Sequence, residues 1–231
     1  MLTLEGVVIR QGDFQLCADF GVDPGQRIAV IGPSGAGKST LLSVIAGFDT
    51  PTSGRILWQG QDLAALTPGQ RPLSILFQDQ NLFPHLSVAQ NVGLGLRPDL
   101  KLLAAEHGAV ATALAQTGLD GLGGRTPGTL SGGQQSRVAL ARALLRARPL
   151  MLLDEPFAAL GPALKAEMLD LVANIAGQTG ATVLMVSHDP GDARRFAPHS
   201  ILVAGGRAHA PQPTGALLDT PPPELAAYLG T

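Results

Sequence analysis

Gly32, Gly37, Lys38 and Ser39 stand in "GPSGAGKS" at the spacing G-x-x-x-x-G-K-[ST]. Each residue type has a task with a phosphorylated ligand. Glycines let successive backbone N–H groups turn inward on the phosphates, a lysine there reaches the β and γ phosphates, and the next hydroxyl is a Mg²⁺ ligand. The run is preceded by the short apolar stretch "RIAVIG" and followed by "KSTLLSVIAGF", whose apolar residues recur at helical spacing. Strand, glycine turn and helix in that order are what the chemistry needs, against the bland alternative of a glycine-rich turn matching by chance. Gly32, Pro33, Ser34, Gly35, Ala36, Gly37, Lys38, Ser39 and Thr40 are therefore expected to form a nucleotide cradle.

A Mg²⁺ site also calls for a carboxylate at the end of a neighbouring buried strand, and "MLLDE" ends in two. Asp154 is expected to hold the metal or its water. Glu155 is placed as general base for a water attacking the γ-phosphate. Alone, an Asp-Glu pair after apolar residues is as well read as a solvated strand end, and only the glycine loop lifts it. His188 ends "TVLMVSH" and Gln78 ends "LSILFQ", so both fall on the carboxyl edge of a sheet where ligands of open α/β folds bind. Each also has a plainer reading as an exposed or structural residue.

A second anion corner follows far downstream. "TLSGGQQSRVALARALL", residues 129–145, sets Ser131, Gly132, Gly133 and Gln134 at the start of a helix, where unpaired N–H groups and the helix dipole favour negative charge. Two such corners so far apart in one chain need an explanation.

The elements that must position these residues can be read from periodicity. Residues 2–22 read as a β-hairpin bending at Gly12-Asp13, and 54–63 as a further strand. "RIAVIG", "LSILFQ", "PLMLLDE" and "TVLMVSH" are buried strands, and "PALKAEMLDLVANIA" is an amphipathic helix. From about residue 87 to 148, Ala, Leu and Gly dominate with helical spacing, which suggests a mostly helical lobe set into the core. "SILVAGGRAHA" reads as a closing hairpin at Gly205-Gly206, and the Pro-rich tail as an extended segment before one last short helix. Strands alternating with helices predict one α/β domain over residues 1–231 with a mainly parallel sheet.

Composition removes several classes. The net charge of −2 gives no support to a nucleic-acid-binding face or a basic membrane patch. Hydrophobic residues make up 45% but aromatics only 4%, so the core must pack aliphatic side chains. The single Cys17 forms no internal disulfide, which suits a reducing compartment. The first residues, "MLTLEGVVIRQGD", are too polar for a signal peptide, and no apolar run is long enough to span a bilayer.

Taken together, "GPSGAGKST", Gln78, "LSGGQ" at 130–134, "LMLLDE" and His188 resemble, in order and spacing, the motifs of ATP-binding subunits of ABC transporters. The resemblance covers essentially the whole chain, and "LSGGQ" is its most specific part. It implies a P-loop NTPase fold of the ABC type, with an antiparallel β subdomain and an inserted helical lobe, and ATP and Mg²⁺ as cofactors. It implies a homodimer in which each ATP lies between one chain's glycine loop and the other's Ser131, Gly132, Gly133 and Gln134, which accounts for the two corners. It also implies that Gln78 takes part at the metal, with Ser39 and Asp154, and that "DQNLFPHLSVAQNVGLGL" contributes to a groove for a transmembrane permease subunit. A plain loop running into a helix is the alternative for that segment. The implied setting is the cytoplasmic face of the plasma membrane, peripherally, in a system with a periplasmic binding protein.

Residues 76–102 and "VLMVSH" are similar to ATP-binding subunits of bacterial thiamine importers, so thiamine is the expected cargo. Importer subunits for iron, spermidine, sulfate or maltose usually carry a further C-terminal domain, for which residues up to Thr231 leave no room. Another small solute remains an alternative cargo. A soluble ABC ATPase without a membrane partner, or a P-loop kinase, is the alternative class. Three positions depart from the family pattern. Gly161 stands where an Asp would reach across the dimer, and Gln11 where an aromatic would stack on adenine. Gln135-Ser136 replace the common Arg-Gln. Phe14 is either the substitute stacking residue or a core residue of the hairpin.

Overall fold

The computed structural model describes residues 1–79 and 81–230. The N-terminal hairpin pairs β1 (Leu2–Gln11) with β2 (Phe14–Val22) about the Gly12-Asp13 turn. β3 (Arg27–Ile31) leads into α1 (Lys38–Ala46), and β4 (Ser53–Trp58) and β5 (Gln61–Asp62) extend the hairpin side. After β6 (Leu73–Leu76) comes the helical lobe, with α2 (Val88–Gly93), α3 (Ala104–Gln116), a 3₁₀ turn at Pro127–Thr129 and α4 (Gly132–Leu145). The chain returns as β7 (Leu150–Asp154), α5 (Pro162–Thr179), β8 (Thr182–Val186), α6 (Pro190–Phe196) and β9 (His199–Ala204). It closes with β10 (Arg207–Ala208), β11 (Gln212–Pro213), α7 (Thr214–Asp219) and α8 (Pro223–Leu229).

The strands run in the order β5-β4-β1-β2-β10-β9-β3-β8-β7-β6, with β11 beside β9. β9, β3, β8, β7 and β6 are mutually parallel, whereas β5, β4, β1 and β2 are antiparallel. Parallel strands covered on both faces read as unbroken apolar runs, and every residue of β8 is buried. Their side chains nonetheless sort by alternation. Ile28, Val30, Leu184, Val186, Leu150 and Leu152 face the cluster containing Leu41, Leu42 and Ile45 of α1. Ala29, Ile31, Val183, Met185, Met151 and Leu153 face the cluster with Met168, Leu169 and Val172 of α5.

The helical lobe has its own small core of Val88, Val92, Val110, Leu114 and Val138. α4 serves two clusters at once. Ala139 and Leu140 pack toward the sheet, while Val138 and Ala141 pack into the lobe. Burying each such Val or Leu stabilises by about 1.5–3 kcal/mol, so the orientation of α4 is fixed from two sides.

The expected fold class is what the chain adopts, with differences of detail. β6 ends at Leu76, two residues before Gln78, because its last ladder pair is Leu76 with Leu153. The 54–63 stretch is two strands, β4 and β5, paired antiparallel with each other. The tail holds two short helices, α7 and α8, instead of one, separated by residues 220–222, whose two prolines donate no N–H to continue α7.

Candidate functional site

The first glycine corner is held by contacts that tolerate no side chain. At Gly32 (φ 146), which directly follows β3, a Cβ would lie 2.0 Å from the carbonyl oxygen of Val203 in β9. Gly37 (φ 103) is the N-cap of α1, and a Cβ there would meet the ring of Phe14 at 2.5 Å. The loop is thus pressed between β9 and the N-terminal hairpin, in left-handed backbone that glycine adopts without strain.

Lys38 opens α1 and is buried, its Nζ donating to the carbonyls of Gly32 and Pro33 at 2.8 Å each. Burial lowers its pKa from the ordinary lysine value, opposed by the nearby charges of Glu155 and Asp154. An ammonium kept dry at the back of a glycine loop is suited to a polyanion that supplies further negative charge.

Opposite it, Ser39 Oγ donates to Asp154 Oδ1 at 3.0 Å. Burial raises the Asp154 carboxyl above its ordinary range. The Ser39 bond works the other way, and the Glu155 charge adds to the rise. Glu155 itself has φ 47, a left-handed backbone uncommon for a residue with a side chain, and it turns into contact with His188 Nε2. Ser34, Gly35, Gly37, Lys38, Ser39, Thr40, Glu155 and His188 line one cleft of ≈ 410 Å³, completed by Gln11 and Phe14 of the hairpin. Phe14 is half-buried, lies against Gly37 and also packs on the core.

The donor set suits a small hard cation, since hydroxyl and carboxylate oxygens meet at the loop's helix. Among the described residues no group of three or more His, Cys, Asp or Glu could hold a metal. Gln78 is exposed in the turn after β6. Of the segment after it, Gln80 lies outside the described residues; the rest runs as a loop into α2, whose Ser87 and Gln90 cap each other reciprocally.

The second corner supplies no residue to this cleft's lining. Ser131 is the N-cap of α4, its Oγ accepting from Gln134 N at 3.3 Å while its own N–H donates to Gln134 Oε1 at 3.0 Å. This reciprocal cap fixes where the helix begins. Gly133 is buried, and a Cβ there would meet Leu164 Cδ2 of α5 at 2.3 Å. Gly132 is exposed with nothing of its own chain within 4 Å of such a Cβ.

Around His188 the structure adds residues that the sequence reading missed. Ser187 Oγ donates to Asp192 Oδ2 at 2.7 Å and accepts from Asp189 N at 3.1 Å. Lys165 of α5 pairs with Asp189 and Asp192 at 2.8 and 2.9 Å. The signal was present in "SHDPGD", since an Asp followed by Pro starts a helix and α6 begins there. Tyr228 of α8, whose hydroxyl donates to the His188 carbonyl at 2.8 Å, carried no such signal.

A model of the ABC transporter family matches residues 17–158, more than half of the chain. The chain belongs to that family and is an ATP-binding, ATP-hydrolysing cassette. Within the family it is 67% identical over 230 residues to the thiamine import ATP-binding protein of Cereibacter sphaeroides, covering 100% of each chain. It is 59% identical to the protein of that name from Ruegeria sp., again over 100% of both. The Escherichia coli protein so named is 55% identical over 186 residues, 80% of each. Among solved structures, a dimeric ATP-binding cassette in a post-hydrolysis state bound to ADP and Pi superposes with a TM-score of 0.80 at 28% identity, covering 93% of this chain and 99% of that one.

Proposed function

We propose that this chain is the ATP-hydrolysing subunit of a bacterial thiamine importer, working as a pair of copies on a permease. The convergence of Lys38, Ser39, Glu155 and His188 on one cleft carries the hydrolytic part. Identity to thiamine import proteins over the whole length supports the cargo.

Residues 32–40 wrap the triphosphate, with backbone N–H groups and Lys38 Nζ meeting its oxygens. Ser39 Oγ and Asp154 would hold Mg²⁺, which when bound neutralises charge on the β and γ phosphates. Glu155 accepts the proton of the attacking water, and His188, in contact with the Glu155 carboxyl, fixes that carboxyl's direction. Gln78, exposed in the turn after β6, suits a residue reporting between the nucleotide and the permease. Phe14, at the cleft wall where Gln11 supplies no ring, stacks on the base.

Ser131, Gly132, Gly133 and Gln134 serve the ATP of the other copy, whose γ-phosphate meets the N-terminus of α4. The dimeric state of the solved relative supports this pairing. Exposed Phe48 and Phe83, flanking the turn of Gln78, offer apolar surface to the permease. No helix of the described residues is long and apolar enough to cross a membrane, so the subunit attaches peripherally, on the cytoplasmic side where ATP is found. A periplasmic binding protein delivers the cargo, and no nucleic acid is involved.

The test is accumulation of labelled thiamine under thiamine limitation in cells with and without this chain. Uptake is lost without it and restored by wild type but not by Glu155→Gln. Unchanged uptake on removal rejects the thiamine assignment. Light scattering of Glu155→Gln with ATP and Mg²⁺ shows a dimer that Ser131→Arg abolishes; dimers that persist in Ser131→Arg reject the two-corner arrangement.

A further inference from the structure

We infer that Tyr228 is a positioning residue for His188, so that the C-terminal helix α8 sets the alignment of the Glu155–His188 pair. The inference rests on the hydrolytic role proposed for that pair. His188 follows β8 by two residues and sits in the turn between β8 and α6. Its neighbours in sequence are tied locally, Ser187 to Asp192 and Asp189 to Lys165 and to the Gly191 N–H. These bonds fix the turn on both sides of His188. The peptide carbonyl of His188 itself is reached from forty residues away, by Tyr228 Oη at 2.8 Å.

A rotation of that peptide swings the imidazole, so a bond at its carbonyl limits the angle from which Nε2 meets the Glu155 carboxyl. The anchor is stiff at its other end. Leu225 of α8 is completely buried, and Tyr228 and Leu229 pack on the cluster that also contains Met185 of β8 and Phe196 of α6. The hydroxyl also lies within the field of Glu155 and Asp189. Burial first and then those two charges push the phenol's pKa up, keeping it a donor.

The test compares ATP turnover of the full-length wild type, Tyr228→Phe, Tyr228→Leu and Glu155→Gln. Tyr228→Phe keeps the ring and removes only the hydrogen bond. The bond lies at an exposed site, so water takes the vacated carbonyl and the loss is modest, about fivefold in kcat. KM for ATP and the melting temperature stay at wild-type values, because neither the phosphate loop nor the packing of α8 changes. Tyr228→Leu loses the same in kcat and also melts earlier. A Tyr228→Phe enzyme with wild-type kcat, or one whose KM rises together with a drop in Tm, overturns the inference. If Glu155→Gln turns over as fast as wild type, the hydrolytic reading itself fails; a slow Glu155→Gln beside an unaffected Tyr228→Phe sinks only the role of Tyr228.

Discussion

Ser39 and Asp154, 115 residues apart, are joined by a 3.0 Å hydrogen bond from the Ser39 hydroxyl to Asp154 Oδ1. It links the first turn of α1 to the end of β7, so the phosphate loop and the acidic strand end share one fixed point. Both oxygens belong to the groups proposed above to hold a divalent cation. Ser39→Ala removes one of them and leaves the carboxylate. The Mg²⁺ concentration for half-maximal ATP turnover is expected to rise about tenfold in this variant, as for loss of a supporting group at other metal sites. A Mg²⁺ titration of initial rates measures it directly, and an unshifted midpoint rejects Ser39 as a ligand.

The two signature glycines are expected to fail in different ways. Alanine at Gly133 presses on Leu164, which must move or strain α5 against α4, and overpacking of this kind costs about 1–3 kcal/mol. Alanine at Gly132 meets nothing in its own chain. Gly133→Ala therefore lowers the denaturant midpoint, while Gly132→Ala melts like wild type but dimerises poorly with ATP in a Glu155→Gln background. Equal stability loss in both would contradict the outward placement of Gly132.

The Asp189–Lys165 contact gives a pH dependence of stability. The hydrogen bond from Lys165 holds the Asp189 carboxyl below its ordinary value of 3.8, against the opposing effect of burial. A carboxyl depressed by folding takes up its proton first in the unfolded chain. Its contribution is therefore complete above pH 3.8 and is lost as pH falls through the lower, folded value. Urea midpoints should place Asp189→Asn below wild type at pH 7, with the gap closing on acidification below about pH 4. A gap that stays constant to pH 2 excludes the ionised pair as its cause.

Gly161→Asp should improve the subunit on its own terms. Gly161 is the N-cap of α5, with φ −64, ψ 156 and no side-chain cap, and a Cβ there has open space. An Asp fits that backbone and accepts from the helix N–H groups, worth a few tenths of a kcal/mol over glycine. The melting temperature is expected to rise slightly. If the carboxylate also reaches the second copy, the Hill coefficient for ATP hydrolysis rises with it; an identical coefficient confines the effect to the helix cap.

The readability of this chain followed the range of the interactions involved. β7 and β8 were plain because a buried parallel strand writes most of its length as apolar residues, and α4 because its cap, Ser131 with Gln134, is local. Gln78 was harder. "LSILFQ" looks like one run, but β6 is an edge strand paired only with β7, and its ladder stops at Leu76. α6 was hidden because "DPGD" resembles a turn, although Asp189 caps its start and Pro190 occupies its first position. Nothing local could have linked Tyr228 to His188, since that contact depends on where α8 docks after three further strands and two helices.

The exposure of Ser131 and Gly132 has a kinetic meaning. On the pairing proposed above, the chain borrows half of its hydrolytic centre from a second copy and obtains that half by collision. Its specific activity then falls as a free preparation is diluted, because the rate is second order in chains while most of them are single. Mounting two copies side by side on a permease converts that encounter into a local event with a high effective molarity, and the dependence on dilution disappears.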